Sequence, residues 1–225
     1  MKKIVFLLLV TIAQSIFAQD VILNKVEKIS ENSDKIFYKI NPQKVTAEYL
    51  GELEVQGFTD DDPKMFGMVY RKAKEIGANA FSFKPFETIA GEGAKLDPYH
   101  YLLNLYYVAP HNFPTEDNVV YLISSAAKKQ TIAIDNKNIV FEPRTYKKLT
   151  LQKGIVTSIS TRKLLGASIK VTAQDNQPVQ FFQLSAFSVN ENPYGTAGIN
   201  IKSGDIIRLE QSYGQFLSTI YQPMD

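Results

Sequence analysis

The stretch RKAKEIGANAFSFKPF, residues 71–86, holds the end of a helix, a sharp turn and a strand. Its helical side reaches back to Pro63, a residue favoured in a first turn because its missing N–H would be unpaired there anyway. Asp62 is then the expected N-cap. Phe66, Val69, Tyr70, Ala73 and Ile76 follow at helical spacing. Arg71, Lys72 and Lys74 gather toward the negative end of the helix dipole, and Gly77 supplies a left-handed cap. Ala78 and Ala80 let helix and strand approach closely, and Asn79 reads as a turn former that tolerates positive φ. Phe81 and Phe83 then alternate with Ser82 and Lys84, a strand that Pro85 limits to an edge or an early end. The stretch reads as folding instruction, not as an active site.

Upstream, VILNKVEKI and KIFYKI are strand-like runs parted by the turn-rich SENSD, and AEYLGELEVQGF alternates over its second half. Downstream, ETIAGEGAKLDP is a connection, and YHYLLNLYYV, apolar or aromatic on both faces, predicts a central strand. APHNFPTEDN carries two prolines and no periodicity, as a linker does. From Val119 onward the helix signal fades. VVYLIS, TIAID, NIVFE, YKKLTLQ, IVTSIST, ASIKVTAQ, VQFFQLSAF, DIIRLEQSY and FLSTIY are short runs divided by turn residues, the pattern of a sandwich or barrel. The expected class is α+β: residues 20–110 form a small α/β module with one helix on a sheet, residues 111–118 a linker, and residues 119–225 an antiparallel β-sandwich or barrel-like domain.

The segment 36–87, with its LGELEV strand, helix and GAN turn, resembles the small α/β modules of bacterial envelope proteins of the RcsF and YbjQ-like kind. The resemblance covers about a quarter of the chain and implies fold. That family includes a disulfide-stabilised stress-signalling lipoprotein and modules once proposed to bind metal. This chain has no cysteine and no cluster of metal-ligating side chains, so neither role is carried over.

The N-terminus, MKKIVFLLLVTIAQSIFAQD, joins two lysines to an apolar run from Ile4 to Ala13 and a short stretch ending in Ala18. That is the layout of a secretory signal peptide, residues 1–18, with cleavage before Gln19. The run is too short for a membrane span, which needs roughly twenty residues. With no cysteine, the chain lacks both a site for lipoprotein acylation and any disulfide. These features predict a periplasmic or secreted bacterial protein that is not a lipoprotein and has no transmembrane segment once the signal is removed.

No residue pattern calls for catalysis, a cofactor or a metal. His100 lies in a strand and His111 in the linker, too far apart in pattern to form one site. Neither a G-x-S-x-G elbow nor an S-x-x-K signature occurs, and GEGAK lacks the spacing of a phosphate loop. Asp60, Asp61 and Asp62 lack the alternation of an EF-hand and are explained by a helix start. Charge does distinguish one region: residues 128–170 carry ten basic side chains against Asp135 and Glu142. Solubility charges account for such a region, and so does an anion-binding surface in which Lys147, Arg162 and Lys170 meet an anionic envelope component or an acidic protein. Nucleic acid is not expected as a partner. The reading is a non-enzymatic binding protein of the cell envelope. The alternatives are an envelope hydrolase whose carboxylates are far apart in sequence, and a structural component of an envelope assembly.

Overall fold

The computed structural model describes residues 20–57, 61–86, 96–161, 166–184 and 206–224. The signal-peptide segment and the GEGAK stretch lie outside them. The protein is mixed α/β, mainly stranded, with two α-helices and three sheets among the described residues.

The first sheet has the order β1-β3-β5-β4-β2, from β1 (Asp20–Val26), β2 (Tyr38–Lys39), β3 (Glu48–Gln56), β4 (Ala80–Lys84) and β5 (His100–Tyr107). The strand β5 is central, as its two-sided apolar sequence predicts. Among the described strands of this sheet, β2–β4 is the one parallel pair. The strand β4 ends at Lys84, just before Pro85, and the two-residue β2 covers its outer side.

Helix α1 (Asp62–Glu75) forms where expected, with its cap shifted by one residue. Asp61, not Asp62, accepts the hydrogen bond from Lys64 N at 3.1 Å. At the other end Ala78 N donates to Ala73 O and Gly77 N to Lys74 O, with Gly77 at φ +74, the paired bonds of a Schellman ending. A side chain at Gly77 would meet the Ser30 carbonyl oxygen at 1.9 Å, so packing as well as backbone conformation requires glycine. Asn79 does not use positive φ. Its fully buried amide donates to Val108 O and to Asp34 and accepts from Val108 N, clamping the end of β5 to the turn.

Two more sheets follow. One has the order β11-β10-β7-β8, from β7 (Gln130–Ile134), β8 (Lys137–Phe141), β10 (Thr157–Ser160) and β11 (Ser168–Val171). Its β7–β8 hairpin turns on Asp135 and Asn136, both at positive φ, the conformation that matches strand twist in a two-residue loop. The other has the order β13-β12-β6-β9-β14, from β6 (Val119–Ile123), β9 (Thr145–Thr150), β12 (Gln180–Leu184), β13 (Ile206–Leu209) and β14 (Gln222–Pro223). Most pairs in the second half are antiparallel, but β6 with β12 and β9 with β14 are parallel.

The run FLSTIY does not continue the strand pattern. It belongs to helix α2 (Gln211–Ile220), which starts where the Glu210 carboxylate accepts from Tyr213 N. Tyr213, Phe216, Leu217 and Ile220 recur at helical spacing, but Gly214, Ser218 and Thr219 are weak helix formers that hide the pattern. Tertiary contact decides the matter. Phe216, Leu217 and Ile220 enter one apolar cluster with Leu53, Val55, Phe66, Val69, Phe81, Tyr101 and Leu103 from the first half. Val119, Ile123 and Phe181, on one face of the β6-containing sheet, complete it. Val120, Leu122, Phe182 and Leu184, on the opposite face, pack with Ile132, Phe141, Ile159 and Val171 of the remaining sheet. Elements on both sides of residues 111–118 thus contribute to one core.

Candidate functional site

Two features sit where the halves meet: a buried polar knot and an open depression beside it. The knot is centred on Asp62. Released from capping, its carboxylate receives Arg144 Nη1 at 3.0 Å on one oxygen and the Tyr221 hydroxyl at 2.5 Å on the other. Arg144 is held at φ +55 between β8 and β9, and its guanidinium lies 5.0 Å from the Tyr99 ring centre and 5.4 Å from that of Tyr221. Its side chain is 11 % exposed and that of Asp62 6 %. The buried Tyr101 hydroxyl has no hydrogen-bond partner among the described residues. Burial pushes its pKa well up, Asp62 adds to this and Arg144 opposes it.

Tyr221 also forms part of the depression, a hollow of about 590 Å³. Lys39 enters from β2, Tyr146 from β9, Ser218 and Thr219 from the last turn of α2, and Gln222 and Pro223 from β14. Leu96 closes one side. No carboxylate is among these lining residues, and Lys39 makes no ion pair among the described residues. Partial desolvation of its ammonium holds the Lys39 pKa below the usual lysine range, with Glu116 opposing. Glu116 itself pairs with Lys148 at 2.6 Å and accepts from the Tyr121 hydroxyl. Tyr146, Tyr121 and Phe181 form a row of rings beside the hollow, with centres 5.8 and 4.9 Å apart.

The basic region from 128 to 170 is less positive in space than in sequence. Lys129 pairs with Glu142, Arg144 with Asp62, Lys148 with Glu116 and Lys153 with Asp175, so three of the four acidic partners come from outside the stretch. Lys147 shares the face of Leu122, its partner across β6 and β9. Lys170 is exposed on another sheet, facing away from its neighbours Ile169 and Val171, which pack inward. Arg162 lies outside the described residues.

His100 and His111 are separate. His100 Nε2 lies 2.8 Å from Glu54 Oε1, on the outer face of the first sheet, with Phe86 packed 4.4 Å from its ring. Hydrogen bonds from Asn24, His100 and Gln56 pull the Glu54 carboxyl down to about 2. His111 sits in a short 3₁₀ turn, Pro110–Asn112. Among the described residues no group of three or more His, Cys, Asp or Glu side chains could hold a metal ion. Of the aspartates considered for calcium, Asp61 caps the helix, Asp62 forms the knot and Asp60 lies outside the described residues.

Sequence reasoning missed Lys39, Tyr146 and Tyr221 as a group because they lie far apart along the chain. Arg144 was visible only as one basic residue among ten. The protein is thus mixed α/β and mainly stranded, with a hollow at the junction of its halves whose lining, among the described residues, includes no carboxylate. No family model matches the chain, and neither a curated protein nor a solved structure matches it.

Proposed function

We propose that this is an exported, non-enzymatic binding protein of the bacterial cell envelope that captures an anionic component. The observation that carries this reading is Lys39 at the wall of a hollow to which both halves contribute and whose lining, among the described residues, includes no carboxylate. A hollow of this size lies within the roughly 300–1,000 Å³ of small-molecule sites. Among the described residues its lining holds no facing pair of carboxylates of the kind a glycosidase cleft needs. The architecture we favour is a small α/β module followed by a β-sandwich, supported by the apolar cluster enclosed between the last two sheets. Export rests on the N-terminal leader. Among the described residues no helix is long and apolar enough to cross a membrane.

The test is retention of the mature chain, starting at Gln19, on an isolated envelope fraction. Retention at 0.1 M salt, release near 1 M as the screening length falls from about 10 to about 3 Å, and loss in Lys39→Glu are expected. Equal recovery of wild type and variant at every salt concentration would remove the anion-binding reading.

A further inference from the structure

Resting on that binding reading, we infer that the ligand is a saccharide carrying a carboxylate, bound in the hollow with its acid group on Lys39 and a sugar face on Tyr146. Three observations select this class over a bare anion and over a peptide.

The first is the polarity of the hollow. Lys39 supplies positive charge at one wall, while Ser218 and Thr219 belong to the C-terminal turn of α2. The last carbonyls of a helix are unpaired within it and carry the negative end of the dipole, which repels an anion and attracts O–H donors. Both hydroxyls already donate to Gln215 O, at 2.9 and 2.8 Å, so what they can still offer a ligand is acceptor capacity. A ligand matching both walls carries an anionic group at one end and hydroxyl donors at the other. A simple carboxylate or phosphate matches only Lys39.

The second is the aromatic row. Tyr146 lines the hollow and is backed by Tyr121 and Phe181. The C–H face of a pyranose ring is apolar and faintly positive, and it packs on the negative face of an aromatic ring. Gln222, with both a donor and an acceptor, stands beside it for the sugar hydroxyls.

The third is the state of the two strand edges at the hollow. A peptide would add to β2 or β14 through free main-chain groups. In β2, Tyr38 and Ile40 donate toward β4, and the outward Lys39 N–H is already taken by Gln215 Oε1 at 2.7 Å. In β14, Gln222 and Met224 donate toward β9, and the outward position is Pro223, which has no N–H. Neither edge offers a strand donor, so the ligand is read by side chains.

The test titrates the full mature chain, followed by NMR, with tetragalacturonate, a neutral tetrasaccharide, acetate, inorganic phosphate and a short poly-glutamate peptide. Expected is tetragalacturonate binding at least about tenfold tighter than any other probe, with shifts centred on Lys39, Thr219 and Gln222. Lys39→Met should remove about tenfold of the acidic preference, the worth of one charge-assisted hydrogen bond. Tyr146→Leu, which keeps apolar bulk, should weaken both saccharides and leave acetate unchanged. Because Tyr146 also packs on the core, the variant's unfolding midpoint is measured alongside. Acetate or phosphate matching the saccharide, with Tyr146→Leu indifferent, would reduce the hollow to an anion site. Tighter binding of poly-glutamate would make the partner a protein. Either outcome overturns the inference, and so do saccharide shifts confined to other surfaces. If saccharides fail while Lys39→Glu still abolishes envelope retention, the saccharide assignment falls and the binding reading stands.

Discussion

Arg144 occupies left-handed backbone, a conformation that costs a non-glycine residue roughly 1–3 kcal/mol. Its main chain is over-determined: the amide donates to Ser125 O, and the carbonyl accepts from Gln222 N. The guanidinium then reaches Asp62 in a site that excludes most water. Removing one partner of a buried pair leaves an uncompensated charge, at about 3–5 kcal/mol. Arg144→Met should lower unfolding stability by that order, measured by denaturant titration. Arg144→Lys should fall between, because an ammonium lacks the planar fork. A Met variant as stable as wild type would show that Asp62 is solvated rather than paired.

The helices show opposite relations between local signal and outcome. Every local cue for α1 agrees with its tertiary surroundings: acidic start, Pro63, apolar stripe, Lys72 and Lys74 in the last turn, Gly77. Only the cap moved by one residue, because Asp62 is drawn inward by Arg144 and Tyr221. For α2 the local cues are poor, and Gly214 explains part of this. A side chain there would lie 2.2 Å from Phe181 Cγ, so the helix approaches β12 closely only without one. Alanine is intrinsically better than glycine in a helix by about 1 kcal/mol. Overpacking costs about 1–3 kcal/mol and opposes this. Gly214→Ala should therefore destabilise, and combining it with Phe181→Leu should recover part of the loss. Thermal unfolding of the two single variants and the double variant tests the coupling. Additive effects would mean that helix and ring do not meet.

At the scale of the whole molecule, α2 lies against β2 of the first sheet and against β6 and β12 of the third, and its apolar face enters the cluster that contains the α1 stripe. The knot adds a second bond between the halves through Asp62, Arg144 and Tyr221. The full chain should unfold in one cooperative transition seen alike by far-UV and near-UV signals. Truncation after Leu209, which removes α2 and β14, should expose the shared cluster and abolish that transition. A truncated chain whose first half keeps a sharp transition of its own would show that the halves are independent. Legible from local sequence alone were α1 with its Gly77 ending, the central place of His100–Tyr107, the short strands of the second half and the separation of the two histidines. Each of these rests on periodicity, turn chemistry or capping, which act within a few residues. Long-range packing, by contrast, makes the C-terminal run helical, turns Asp62 from capping to pairing, and brings acids from outside residues 128–170 onto three of its basic side chains. It alone brought Lys39, Tyr146 and Thr219 around one hollow, because burial, charge pairing and site geometry depend on contacts between residues distant along the chain, such as Asp62 and Arg144.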